Sequence, residues 1–156
     1  MNKIYLSVLC FIVSSLLLSP PEVLLAACSV STTPVSFGSY NVLSPSPNDA
    51  TGSVTVSCDQ SAPPTVTISI GASPNSGGFD PRLMKLAAGS DMLFYNFYID
   101  ASRTQIWGDG SANTFTKSNK VHKGRPWVNS VYGRIPPGQD VSVGSYSDTL
   151  TVIINW

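Results

Sequence analysis

Three stretches of the chain alternate between apolar and small polar residues with a period of two. They are GSVTVSCD, TVTISIG and DTLTVIINW, at residues 52–59, 65–71 and 148–156. Successive side chains of a strand point to opposite faces, so this period collects the apolar side chains on one face. The pattern predicts half-buried strands and restricts the chain to folds in which one sheet face covers another.

Two further runs predict strands of a different kind. MLFYNFYID, at residues 92–100, is apolar on both phases, which is typical of a central strand covered on both sides or of a strand covered by loops. WVNSVYGRI, at residues 127–135, alternates more weakly. Turns rich in Pro and Gly separate the runs. The sequence therefore predicts an all-β, antiparallel sandwich, with a short helix over residues 81–86 and a long polar loop over residues 108–126.

Residues 1–27 have the features of a secretory signal peptide. Lys3 precedes an apolar run over residues 4–18, and Leu25-Ala26-Ala27 provides small residues for cleavage. The run is shorter than the ~20 apolar residues that a membrane span requires. We expect cleavage after Ala27, export, and one mature domain over residues 28–156.

The cysteines that remain after cleavage are Cys28 and Cys58. An even pair in an exported protein favours a disulfide. The alternative is a lipid anchor at Cys28, because Leu25-Ala26-Ala27-Cys28 fits the pattern that lipoprotein signal peptidase recognises. Cys58 lies on the apolar phase of its predicted strand. A disulfide explains both cysteines, whereas lipidation explains only one.

The charges balance over residues 28–156, where Lys and Arg equal Asp in number and Glu is absent. A neutral surface lacks the basic face that nucleic-acid binding requires. The one basic cluster comprises Lys117, Lys120, Lys123 and Arg125. We interpret it as part of a solvated loop and expect no nucleic-acid partner.

The residue types that carry catalysis or metal binding are poorly represented. The only histidine is His122, in the polar loop, and no Gly-x-Ser-x-Gly element is present. Most aspartates sit at strand ends and turns, where they cap backbone N–H groups, rather than as catalytic carboxylate pairs. Cys28 and Cys58 lack zinc-site spacing, and WGDGSANT, at residues 107–114, has too few acidic ligands for calcium. We expect no enzymatic activity, no cofactor and no metal.

Trp107, Trp127 and Phe115 border the predicted loop. Aromatic side chains near loops can stack on sugars or contact surfaces, although they more often pack in a core. Trp107 and Trp127 are therefore candidates for a surface-binding role.

The motifs occur in an order that resembles a known family. The segment ACSVSTTPVSFGSYNVLSPSPNDATGSVTVSC, residues 27–58, places FGSY between the two cysteines. LFYNFYID, WGDG, YGRIPPGQ and GSYSDTLTVII follow it in that order. The arrangement resembles the spore coat protein U family, the subunits of archaic chaperone–usher pili, over nearly the whole of residues 28–156.

The resemblance implies a fold and partners that the residues alone do not. It implies an immunoglobulin-like sandwich without its last strand, whose apolar groove first accepts a strand of a periplasmic chaperone. At an outer-membrane usher, the N-terminal extension of the next pilus subunit then replaces that strand by β-strand addition. By this resemblance the groove is lined by Leu150, Val152, Ile154 and Trp156. Location on a surface pilus, attachment and biofilm formation are implied in the same way.

One feature departs from the pattern of a polymerising subunit. The donor segment of such a subunit precedes its first cysteine, and cleavage after Ala27 leaves nothing before Cys28. We therefore expect a terminal subunit, at the fibre tip, that accepts a strand but donates none. Cleavage near Ser19 would instead leave PPEVLLAA as an extension.

Two functions outside the pilus are also compatible with the sequence. One is that of a free-standing coat-type protein whose sandwich is complete without a partner. The second is that of a module that binds carbohydrate or surfaces through Trp107 and Trp127.

Overall fold

A computed structural model describes residues 27–156, so the predicted signal segment before Ala27 lies outside the described residues. The described residues contain nine β-strands and no helix. The strands are β1 (Cys28–Thr33), β2 (Asn48–Cys58), β3 (Thr65–Ile70), β4 (Arg82–Leu86), β5 (Met92–Tyr98), β6 (Lys117–Lys120), β7 (Trp127–Ile135), β8 (Tyr146–Ser147) and β9 (Val152–Asn155). Nothing in this part of the chain forms a helix that could span a membrane.

The strands form two antiparallel sheets of unequal size. The larger has six strands in the order β1-β2-β7-β5-β4-β8, and the smaller has three in the order β6-β3-β9. β5 lies between β4 and β7, which confirms the central position predicted for the run that is apolar on both phases. The predicted immunoglobulin-like antiparallel sandwich is therefore confirmed.

The first part of the core lies between β2 and β3. The alternating residues of the two strands meet there, as their period predicts, and all are at most 6% exposed. They are Val54, Val56, Cys58, Val66, Ile68 and Ile70. Trp107, Val121 and Val131 also belong to this group, which we call cluster 1. The indole Nε1 of Trp107 donates a hydrogen bond to the carbonyl of Ile68 at 3.2 Å.

Two sequence predictions about local structure are wrong. The expected helix over residues 81–86 is strand β4, in which Arg82, Met84 and Leu86 are buried alternately while β5 supplies the hydrogen-bonding partner. Pairing of β4 with β5 here outweighs the local signal for a helix start, which is Asp80 followed by Pro81. The expected loop over residues 108–126 contains β6, which pairs with β3.

The predicted disulfide between Cys28 and Cys58 is confirmed. The two residues are direct partners in the ladder between β1 and β2, so the bond fixes the edge strand β1 to its neighbour. A thioether-linked lipid would need the same Cys28 sulfur. The disulfide and the lipid anchor therefore exclude each other, and the structure contains the disulfide.

Replacing both Cys28 and Cys58 with Ala should lower the free energy of unfolding by about 3–4 kcal/mol, because the cross-link restricts the unfolded chain. Urea unfolding of the oxidised wild type and of the double variant measures this difference. The same measurement in reducing agent is the control, since both proteins should then unfold at similar urea concentrations. An unchanged midpoint in the oxidised proteins would contradict the expectation.

Arg82 is a fully buried cation on the inner face of β4. Its Nη2 donates to the carbonyls of Gly71 and Trp107, at 2.9 and 2.8 Å, and its Nη1 donates to Asn96 Oδ1 at 2.8 Å. Burial lowers the pKa of Arg82 to about 10, so the guanidinium remains charged at neutral pH. One side chain thus joins β4 and β5 to the end of β3 and to the buried Trp107.

Changing Arg82 to Met should cost about 3 kcal/mol of unfolding free energy, because the buried carbonyls lose a charged donor. Arg125→Met is the matched control, since Arg125 is exposed and its side chain makes no hydrogen bond or ion pair within the described residues. Chemical denaturation of both variants provides the measurement. Equal stability of the two variants would show that the Arg82 network is not stabilising.

Candidate functional site

A second apolar group covers the remaining inner face of the large sheet. Its buried members come from β4, β5 and β7, and none comes from β3, β6 or β9. They are Met84, Leu93, Tyr95 and Ile135, and we call them cluster 2. The small sheet therefore covers cluster 1 and leaves cluster 2 to be covered by loops.

A cleft of about 800 Å³ lies over cluster 2. Met84, Leu93 and Ile135 contribute to its floor, and residues 34–42 and 141–146 form its two walls. No Asp, Glu, Lys, Arg or His side chain lines it. The cleft is thus an uncharged groove at the place where the small sheet ends.

The 34–42 wall has no strand partner within the described residues, and its backbone turns at Gly38, where φ is +65°. Among residues 27–156, no backbone–backbone hydrogen bond involves residues 34–40. Val35 and Phe37 are half-buried, whereas Ser36 between them is exposed, so the side chains alternate as they do in a strand. This segment has the geometry of a strand whose partner is missing.

The strand β9 also has an unused edge. Within the described chain it pairs only with β3, and the amide of Gly71 donates to the carbonyl of Thr151 at 2.8 Å in the same register. Alternate residues of an antiparallel strand direct their N–H and C=O groups to opposite sides. The backbone groups of Val152 and Ile154 therefore face away from β3, towards the open edge.

The two edges of the small sheet differ in charge. β6 carries Lys117 and Lys120, and charged side chains on an edge strand discourage pairing with another chain. β9 has the sequence VIIN and carries no charge. Of these two edges, β9 is the one that favours addition of a strand.

The four residues predicted to line the groove lie beside it rather than on its floor. Leu150, Val152 and Ile154 are half-buried against cluster 1, and Leu150 also contacts cluster 2. Trp156 is 56% exposed. None of the four lines the cleft itself.

Sequence reasoning missed the floor of the cleft and the 34–42 wall. Met84 falls in the segment expected to be helical, although RLMKL alternates and could have indicated a strand. The wall includes the FGSY element, residues 37–40, which is recognisable as a motif but has no structural role that its own residues reveal.

The aromatic residues that border the predicted loop differ in their exposure to solvent. Trp107 is fully buried, so its indole has no exposed face for a ligand, and the prediction for this residue is corrected. Trp127 is half-buried against cluster 1, and its surface-binding role stays a prediction. Phe115 is 44% exposed.

A polar network lies between cluster 2 and β9. The hydroxyl of Tyr95 donates to Asp148 Oδ2 at 2.7 Å, and Asn75 Nδ2 donates to Asp148 Oδ1 at 3.2 Å. Burial, together with the hydrogen bond to Asp148, raises the pKa of the Tyr95 hydroxyl well above its usual value, so it remains a proton donor. The network anchors the chain just before Leu150.

No group of three or more His, Cys, Asp or Glu side chains suited to a metal occurs over residues 27–156.

Known proteins share both sequence and fold with this chain. Protein U of Myxococcus xanthus is 34% identical over 109 residues, which is 68% of this chain and 59% of that protein. The chain therefore spans less than two thirds of this relative's length.

A solved structure shares the fold at lower identity. It is a chain of the CsuC–CsuE chaperone–tip adhesion subunit pre-assembly complex from the archaic chaperone–usher Csu pili of Acinetobacter baumannii. The match has a TM-score of 0.59 at 20% identity and covers 85% of this chain and 40% of that one.

The family comparison is the most extensive, since the model of the Spore Coat Protein U domain matches residues 13–153. This range includes the floor and both walls of the cleft and every strand from β1 to β8. The chain belongs to the Spore Coat Protein U domain family.

Proposed function

We propose that this protein is a structural subunit of a surface pilus built by the chaperone–usher route, and that its groove accepts a β-strand from another polypeptide. The observation that carries the proposal is the uncovered half of the large sheet. Within the described residues, cluster 2 has no strand above it, and backbone without a strand partner lies in one wall of the cleft, at residues 34–40, and along the open edge of β9 beside it.

The groove defines the chemistry of the strand that would fill it. Main-chain hydrogen bonds to Val152 and Ile154 would extend the small sheet beyond β9, while alternate side chains would cover Met84, Leu93 and Ile135. Because the lining carries no charge, a charged side chain directed inward would be buried without a partner. The accepted strand therefore has apolar residues on its inward phase.

The family and the shared fold support the identity of the partners. The matched structure is that of a chaperone with a pilus subunit, and its fold extends over most of this chain. The first occupant would be a strand of a periplasmic chaperone, and the second an N-terminal extension of a neighbouring subunit, exchanged at the outer-membrane usher. The assembled protein would be non-catalytic, located on the cell surface, and would serve attachment and biofilm formation.

A terminal position in the fibre follows from the expected cleavage site. After cleavage behind Ala27, the first residue is Cys28. This residue is the start of β1, and its disulfide and its ladder position both join it to Cys58 of β2. Since β1 pairs with β2 over its whole length, it offers no free segment to a neighbouring subunit. The subunit would therefore accept a strand without donating one. N-terminal sequencing of the exported protein tests this point, and a start near residue 20 would contradict it.

Changing Val152 to Pro should abolish strand acceptance, because proline removes the N–H that faces the open edge while the bonds to β3 remain. Val152→Ala is the matched control, since it shortens the same side chain but keeps the N–H. The measurement is co-purification with a tagged periplasmic chaperone of the same organism after export. We expect wild type and Val152→Ala to be retained and Val152→Pro to be reduced at least tenfold, given that the main chain carries the affinity.

Failure of the wild-type protein to bind a chaperone would contradict the pilus proposal. If wild-type protein purifies as a stable monomer without a chaperone and none of the three proteins is retained, the pilus proposal is wrong. A free-standing, self-completed coat-type protein would then be the better description.

A further inference from the structure

The 34–42 wall occupies a definite position although its backbone has no strand partner within the described chain. Contacts from three places in the fold hold it instead. They are two glycines on the inner face of the large sheet, Asn48 at the start of β2, and a pair formed by Tyr40 and Gln139.

The two glycines let the wall lie directly on the sheet. A Cβ at Gly133 would lie 2.7 Å from both Phe37 Cζ and Val35 Cγ1. A Cβ at Gly52 would lie 2.8 Å from Val35 Cγ2 and 2.5 Å from the carbonyl oxygen of Thr33. Any larger residue at either position would displace the wall from the sheet.

On the side of the wall that faces β2, the side-chain amide of Asn48 provides the hydrogen-bond donor that a neighbouring strand would otherwise supply. Its Nδ2 donates to the carbonyls of Phe37 and Ser39, both at 3.1 Å. These two carbonyls are therefore already bonded, while Val35 and Ser36 have no backbone partner within the described residues.

Tyr40 and Gln139 secure the far end of the wall. The Tyr40 hydroxyl donates to the carbonyl of Pro136 at 3.0 Å and accepts from the backbone amide of Gln139 at 3.0 Å. Since both bonds use backbone groups of the turn after β7, a single hydroxyl connects the FGSY element to the YGRIPPGQ element.

Gln139 holds that turn in place by acting as a strand partner. Its Oε1 accepts from the amide of Phe94 at 2.7 Å, and its Nε2 donates to the carbonyl of Phe94 at 3.0 Å. The ladder between β5 and β7 covers Asn96 to Tyr98, so the side-chain amide of Gln139 pairs with β5 where that ladder is absent. The anchor for Tyr40 is thus part of the large sheet.

We infer that Tyr40 and Gln139 form a latch that positions the 34–42 wall for strand uptake, with the Tyr40 hydroxyl as the positioning group. This inference rests on the proposed function. A latched wall holds Val35 and Ser36 in place before a strand arrives. An unlatched wall must be ordered during binding, and that ordering weakens the affinity.

Tyr40→Phe isolates the hydroxyl, because the ring remains against cluster 2 and only the two hydrogen bonds are lost. Tyr132→Phe is the matched control, since the Tyr132 hydroxyl makes no hydrogen bond within residues 27–156 and its ring lies on the opposite face of the sheet, near Arg103. Both variants should unfold as cooperatively as the wild type.

Two measurements test the latch in the oxidised protein. The first is limited proteolysis with chymotrypsin, in which cleavage after Phe37 should be about tenfold faster in Tyr40→Phe and unchanged in Tyr132→Phe, because a protease cuts a segment that opens locally. The second is binding of a labelled synthetic nonapeptide of alternating threonine and valine, with terminal lysines for solubility. Its affinity should fall about tenfold in Tyr40→Phe through lost preorganisation and remain unchanged in Tyr132→Phe.

Gly133→Ala provides an independent displacement of the same wall, because the added methyl group meets Val35 and Phe37. It should weaken peptide binding at least as much as Tyr40→Phe does. Gly78→Ala is its control, since a Cβ there meets nothing within 4 Å.

The outcomes separate the latch from the proposed function. Peptide bound equally by wild type and Tyr40→Phe, with equal cleavage after Phe37, overturns the latch and leaves strand acceptance intact. A wild-type protein that binds neither the nonapeptide nor a chaperone overturns both. Faster cleavage after Phe37 combined with weaker binding, confined to the Tyr40 and Gly133 variants, supports the latch.

Discussion

The inner face of a sheet must be covered, and in this protein six strands present more inner face than three strands can cover. β3 and its neighbours enclose cluster 1, where every alternating residue of β2 finds an apolar partner. Beyond them, Met84, Leu93 and Ile135 lie under a cleft instead of under a strand. The open groove and the unpartnered edge of β9 both follow from this mismatch.

Arg82 connects the covered and the uncovered parts of the sheet. Its guanidinium bonds the carbonyls of Gly71 and Trp107, which lie at the end of cluster 1, and Asn96 on β5. A buried cation bonded mainly to carbonyls is costly to desolvate, and it is stable here because each bond is charge-assisted. The network also fixes the end of β3 relative to the large sheet, and hence the boundary at which the groove begins.

Period-two patterns are sufficient to predict the strands that build cluster 1, because alternation on a pleated strand leaves only one way to bury its apolar residues. The same reasoning fails at β4, where Asp80-Pro81 is compatible with either a helix start or a strand, and only pairing with β5 decides. It also misses β6, whose polar sequence, KSNK, has no apolar phase to detect. Trp107 shows a similar limit, because its burial depends on β3 lying above it rather than on its own neighbours.

The sequence by itself determined an antiparallel all-β sandwich, because alternation is a property that local residues carry. It favoured a disulfide between Cys28 and Cys58 over a lipid anchor, and the structure decided between the two. Only the tertiary structure decided where the sandwich is open, since Ile135 is far in sequence from the paired Met84 and Leu93 and meets them only across the large sheet. Tyr40 and Gln139 are 99 positions apart and meet through a backbone amide, a group that almost every residue type shares. No pattern of side chains encodes such a contact, so it becomes visible only when the sheet brings the two segments together.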